Sequence, residues 1–217
     1  MSAADPDRAV GLLLAGGRGS RFDSTGHRDK LLATLEGEAV CERSARCLIS
    51  VCPDSFAVLP PGKTALLQAL ERAGCKPLIS ETTRLGMGHS IAFGAARILE
   101  RMGPVSIVLA LADMPRLKPD TIRILIDALG SDPMAIVAPK HSGRRGHPVI
   151  FGSGHLRAMT SLGGDRGAFS ILEQHPPRLI DVDDPGVLQD IDTPDDLAAD
   201  PTDDSMDRRR DTPDHHR

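Results

Sequence analysis

The chain has 217 residues and a net charge of −4, with lysine and arginine spread along it rather than gathered into one run. That length suits one α/β domain with a full core, and the lack of a basic stripe argues against nucleic acid as a partner. No stretch approaches the roughly 20 apolar residues that span a bilayer, and MSAADPDRAV at the N-terminus has no long apolar region, so a cytoplasmic protein without a membrane partner is expected.

In chain order, short apolar runs alternate with helical patterns. Ala9–Ala15, Phe56–Leu59, Pro77–Ile79, Val105–Ala112 and Ala135–Ala138 read as strands of a parallel sheet buried on both faces. Between them, Ile91, Ala95, Ile98, Leu99 and Met102 recur on one helical face. Ile122, Leu125, Ile126 and Leu129 do the same, after Pro119 at a first-turn position. This βαβα order predicts a doubly wound α/β fold with helices on both faces of a mostly parallel sheet. Past Lys140 the pattern loosens into HSGRRGHPVIF, read as a hairpin or insertion, and then into helical stretches around Leu156–Leu162 and Ala168–Glu173. The domain is expected over residues 9–198. Residues 1–8 read as a flexible lead-in, and 199–217, without an apolar stripe, as a disordered tail.

Tryptophan and tyrosine are absent and phenylalanine is scarce, so aliphatic side chains must build the core and aromatic platforms for base stacking are all but ruled out. The cysteines at 41, 47, 52 and 75 lack zinc-site spacing and read as reduced thiols.

The chemistry starts at Leu12–Phe22, LLLAGGRGSRF, where a strand runs into Gly16, Gly17 and Gly19 with Arg18 and Arg21 beside them and Lys30 downstream. Glycines let backbone N–H groups approach phosphate oxygens, and three cations suit one polyanion. An ordinary surface turn after a strand is the plainer reading of the glycines. In a doubly wound sheet, ligands lie at the carboxyl ends of the strands, which draws attention to Asp113 in ADMP. It either holds Mg²⁺ against a phosphate or opens the turn before Pro115. Asp192, in DIDTPDDL, is either a second metal ligand or part of a helix start with Asp195 and Asp196.

LLLAGGRGSRF with KLL at Lys30, ETTRLGMGHS from Glu81, LADMP at Asp113, RGHPVIF at Arg145, GGDRGAF at Gly163 and DIDTPDDL at Asp190 occur in the order seen in the molybdenum cofactor cytidylyltransferases. The chain resembles that family, which lies within the MobA-like nucleotidyltransferases, from about Ala9 to Leu197. The resemblance implies a Rossmann-like nucleotidyltransferase fold with a small hairpin or insertion on the acceptor side. It also implies a nucleoside triphosphate donor, Mg²⁺, a molybdopterin-type acceptor and a molybdoenzyme that receives the product. Leu14, Ala15, Gly16, Gly17, Gly19, Lys30, Gly88 and Ser90 are then expected around the nucleotide. Arg145, His147 and Asp165 are expected on the acceptor side, Asp113 and Asp192 on the metal, and Arg18, Arg21, Lys30 and Asp113 in catalysis. Gly88 and Ser90 also suit a helix start, and His147 a turn before Pro148.

Two departures stand out. The segment FDSTGHRD before Lys30 is longer than the family's spacing, and Leu14-Ala15-Gly16-Gly17 is the LAGG typical of guanylyltransferases, where cytidylyltransferases read LAAG. RGHPVIF, GGDRGAF and DIDTPDDL match the cytidylyl branch, so CTP is the expected donor with GTP as the alternative. Other small-phosphate nucleotidyltransferases carry similar loops. A dinucleotide oxidoreductase would need a third glycine where Phe22 stands, and a carrier that only binds the cofactor would not need both carboxylates and the cationic loop.

Overall fold

The computed structural model describes residues 9–17, 22–23 and 28–198. The expectations for residues 1–8 and 199–217, and those for Arg18, Gly19 and Arg21, lie outside the described residues. The elements in order are β1 (Ala9–Leu14), β2 (Thr34–Leu35), β3 (Glu38–Ala39), α1 (Val40–Ile49), β4 (Ser55–Leu59), α2 (Thr64–Arg72) and β5 (Lys76–Ile79). There follow α3 (Met87–Met102), β6 (Ser106–Leu111), α4 (Pro119–Leu129), β7 (Ile136–His141), β8 (Arg144–Arg145) and β9 (Val149–Phe151). The last are α5 (Leu156–Met159), α6 (Phe169–Gln174), β10 (Arg178–Asp181) and α7 (Pro194–Ala198).

β1 lies in the middle of a sheet ordered β10-β7-β9-β6-β1-β4-β5, with β8 paired to β7. It runs parallel to both neighbours, Leu12 opposite Phe56 and Leu109. Its side chains alternate between two cores, as the period of two of a strand requires. Leu13 joins the core under α1, α2 and α4, while Val10, Leu12 and Leu14 face α3, α5 and α6. Ile91, Ala95 and Ile98 on α3 and Ile122, Leu125 and Leu129 on α4 are buried, so both periodic faces point inward as their spacing predicts. Because β4 and β5 extend the sheet to one side of β1 and β6 to the other, the strand order reverses there. Such a sheet opens a crevice at that point, beyond the carboxyl ends.

Three features differ from the sequence reading. The strand expected at Ala135–Ala138 runs from Ile136 to His141 and turns at Ser142 and Gly143, both at positive φ, into β8. The insertion then returns as β9, which runs antiparallel between β6 and β7, so the sheet is mixed on that side. β10 is a parallel edge strand beside β7, unforeseen because only two of its four residues are apolar. All four cysteines are free and buried, and burial pushes their thiols up to between about 11 and 12.

Candidate active site

The crevice holds a cleft of about 370 Å³ whose lining includes Leu14, Gly16, Gly17, Thr83, Ser90, Asp113 and Asp165. Both walls are fixed by main-chain bonds. Ala15 N–H donates to the Val58 carbonyl at 2.9 Å and Ala112 N–H to Leu14 at 3.0 Å, so the turns after β1 and β6 leave the sheet side by side. The glycine-containing turn and Asp113 therefore face one space. A Cβ at Gly16 would lie 3.4 Å from Thr83 Cβ and 3.5 Å from Ser90 Oγ, which leaves a slot one methyl group deep in the cleft wall.

Beside the cleft lies a cluster of charges. Lys30, first residue of the 3-10 turn Lys30–Leu32, is 7% exposed, and its Nζ donates to Asp113 Oδ2 at 2.7 Å and to Asp192 Oδ1 at 2.8 Å. Burial works against the ammonium, but the charges and hydrogen bonds of Asp113 and Asp192 outweigh it and raise the Lys30 pKa above its usual value. The two carboxylates come together because the Ile191 N–H donates to the Asp113 carbonyl at 2.8 Å, tying DID to the end of β6. Asp184 anchors the same segment further back: it is buried and accepts from Lys118 N–H, Thr121 Oγ1 and Gly186 N–H at 2.9, 2.6 and 3.0 Å.

Of the two readings of Asp192, the cap belongs to another residue. Asp196 accepts from the Asp192 and Thr193 N–H groups at 2.8 and 2.6 Å, while Asp192 Oδ1 meets Lys30. Asp190 completes the group, with ligand atoms of Asp113, Asp190 and Asp192 all within 4.8 Å of one another. Asp113 Oδ1 is buried and has no hydrogen-bond partner among the described residues. Clustered carboxylates with a buried, unsatisfied oxygen fit a hard divalent cation that completes its shell with phosphate oxygens and water.

The remaining expected residues fall into two places. Asp165, expected on the acceptor side, lines the cleft with Gly16, Gly17 and Ser90. Gly88 is a packing glycine: its N–H donates to the Gly164 carbonyl at 2.8 Å and a Cβ there would strike the Gly163 carbonyl. The start of α3 and the GGDRG turn thus form one wall. Ser90 is buried in the first turn of α3, where Oγ makes a long 3.4 Å bond to the Gly86 carbonyl and also faces the cleft. Arg145 is exposed on β8 opposite Lys140. His147 N–H donates to the Val187 carbonyl at 2.9 Å, and its Nδ1 is buried without a partner among the described residues. Burial, reinforced by Arg145 and opposed by Asp190, lowers its pKa to about 4, so the ring is neutral at pH 7.

Asp190, Thr83 and the Lys30 contacts were missed in the sequence. Asp190 had a signal, since residues i and i+2 of an extended segment share a side. The Lys30 contacts had none, because their partners lie 83 and 162 residues away.

The family described as "MobA-like NTP transferase domain" matches residues 11–179. The purine catabolism protein PucB of Bacillus subtilis (strain 168) is 29% identical over 196 residues, 85% of this chain and 92% of PucB. The nicotine blue oxidoreductase of Paenarthrobacter nicotinovorans is also 29% identical, over 89% of this chain and 96% of its own. A probable molybdenum cofactor guanylyltransferase of Nostoc sp. (strain PCC 7120) is 26% identical over 87% of this chain and 88% of its own. Among solved structures, Rv0371c of Mycobacterium tuberculosis H37Rv superposes with a TM-score of 0.74 at 25% identity, covering 91% of this chain and 97% of that one. A second structure of Rv0371c is its complex with manganese, with a TM-score of 0.69 at 24% identity over 88% and 96% of the two chains.

Proposed function

We propose a reaction for this chain on the basis that it belongs to the MobA-like NTP transferase family. It is a nucleotidyltransferase, and in our reading it moves CMP from CTP to the terminal phosphate of a molybdopterin-type acceptor. An acceptor phosphate oxygen attacks the α-phosphorus in line, the bond from the α-phosphorus to the bridging oxygen breaks, and pyrophosphate leaves. The observation that carries this reading is that the glycine-containing turn after β1 lines one cleft with Asp113, whose carboxylate shares the Lys30 ammonium with Asp192.

The protein need supply little covalent chemistry, because transfer of this kind is accelerated by positioning and by stabilising charge. Gly16 and Gly17 bring the main chain close to the phosphates, and Ser90 and Thr83 border the nucleotide. Lys30, with Arg18 and Arg21, offsets charge on the departing pyrophosphate. Asp113 and Asp192, with Asp190 beside them, would hold Mg²⁺, which when bound neutralises the α-phosphate and makes it the better electrophile. The manganese complex of Rv0371c supports a divalent ion at this fold. Arg145 and His147 are assigned to the acceptor, His147 as a neutral imidazole.

GTP is the second reading. The LAGG turn and the relationship to the Nostoc guanylyltransferase favour it, whereas the later motifs favour CTP. Transfer of label decides: purified protein with Mg²⁺, the molybdopterin acceptor and α-phosphorus-labelled CTP or GTP should give labelled acceptor from CTP. Labelled product from GTP alone would move the chain to the guanylyl branch, and none from either would overturn the acceptor.

A further inference from the structure

We propose that Lys30 is an internal counter-ion that keeps the metal site closed until a triphosphate draws its ammonium away, so that the divalent cation enters together with the nucleotide. This rests on reading the cleft as a nucleoside triphosphate site. The ammonium makes contacts of 2.7 and 2.8 Å with one oxygen each of Asp113 and Asp192, whose side chains are only 20% and 21% exposed. Those are oxygens a dication would use. A cation arriving alone meets a positive charge a few ångströms away, shielded from water, where like charges repel strongly. Burial also denies Lys30 a solvated alternative, since its side chain is 8% exposed.

A triphosphate changes this balance. It offers the ammonium a new anionic partner, and lysine is a point charge on a flexible four-carbon stem, able to swing from carboxylate to phosphate without a change of backbone. One movement takes the ammonium off both carboxylates as phosphate oxygens arrive to complete the shell of a hard cation. Asp113 Oδ1, buried and without a partner among the described residues, is already in place. Linkage makes the effect reciprocal: the factor by which nucleotide tightens metal binding is the factor by which metal tightens nucleotide binding. A lysine that served only to neutralise two carboxylates would give no such dependence on Lys30.

Binding of Mn²⁺, read from the paramagnetic resonance of the free ion, tests this without turnover, and suits a chain that lacks tryptophan and tyrosine. Wild type, Lys30→Met and Lys30→Gln are titrated with and without the unreactive α,β-methylene analogue of CTP. Lys30→Met should bind Mn²⁺ alone at least about tenfold more tightly than wild type, within the usual range for coupled sites, and should lose most of the further tightening caused by the analogue. If Lys30→Met melts below the assay temperature, Lys30→Gln, which keeps an amide donor for one carboxylate, should show the same change. In wild type, Mn²⁺ alone should leave the melting temperature unmoved, and Mn²⁺ with the analogue should raise it. Equal Mn²⁺ affinity in wild type and both variants, or wild type that binds Mn²⁺ equally with and without the analogue, overturns the proposal. Failure of the analogue to bind would instead count against the triphosphate reading, while tighter Mn²⁺ binding in the variants would still establish the counter-ion.

Discussion

Asp113 and Lys30 each meet the other before either meets a ligand. Asp113→Asn keeps the size of the side chain but removes charge from both the metal position and the Lys30 pair. Turnover should fall by at least about 10²-fold, the usual effect of losing one group that stabilises developing charge, with far-UV dichroism unchanged. Kinetics within a few-fold of wild type would remove Asp113 from the metal. Asp192→Asn should also slow turnover, since its Oδ1 shares Lys30 with Asp113. Normal kinetics with a loss of stability alone would leave Asp192 a structural partner of Lys30.

His147 gives a pH dependence of known sign. Its folded pKa, lowered from 6.5 to about 4, means that the native protein binds fewer protons than the unfolded chain between those values. Stability attributable to this ring is complete above the unfolded value and is lost as pH falls toward 4. Between pH 7 and pH 5 the loss should be about 2 kcal/mol. Urea unfolding of wild type and His147→Gln at both pH values measures it. The wild type should lose that much more stability than the variant, and parallel losses would mean that the ring is solvated.

At the scale of elements, the start of α3 and the GGDRG turn act as one unit. Gly88→Ala would push a methyl group into the Gly163 carbonyl, so the turn carrying Asp165 must move. The clash is with the Gly163 main chain rather than with a core side chain, so the fold should survive with kcat/KM reduced at least about tenfold, a size typical of misplaced groups in active sites. Steady-state kinetics beside a thermal melt would show it, and an unfolded variant or unaltered kinetics would contradict it. The turn after β1 reports on the base. A methyl group at Gly16 meets Thr83 and Ser90 at ordinary contact distances, so Gly16→Ala should fold normally. If the empty slot serves a purine, the variant should shift kcat/KM toward CTP over GTP, because sites reject substrates that leave buried polar groups unpaired. An unchanged ratio would place base selection elsewhere.

Across the whole molecule, what could be read from the sequence was whatever is written in local pattern. β1, the inward faces of α3 and α4, Pro119 at the start of its helix and Asp113 at the end of β6 follow from periodicities of two and 3.6 and from the habit of parallel sheets to bind at their carboxyl ends. What could not be read depends on partners distant in sequence. β10 has only two apolar residues in four and becomes a strand because β7 offers an edge. β9 is too short to reveal its direction, and Asp184 shows its anchoring role only when folded against α4. The position of Lys30 is the most telling case, since KLL after a glycine-rich turn reads as a phosphate contact, while the folded chain sets its ammonium between two carboxylates. Among the described residues no helix is long and apolar enough to cross a membrane, in keeping with a chain whose apolar segments are spent on a two-sided sheet.

If Asp113 directs nucleotidyl transfer, its loss must show in the release of pyrophosphate. The most direct measurement is the rate of pyrophosphate release by wild type and Asp113→Asn, with Mg²⁺, each of the four common ribonucleoside triphosphates and the molybdopterin acceptor added or withheld. Release should depend on the acceptor, be fastest with CTP, and fall by at least about 10²-fold in Asp113→Asn. Release with no triphosphate above the protein-free rate, or equal release by wild type and Asp113→Asn, would contradict nucleotidyl transfer directed by Asp113.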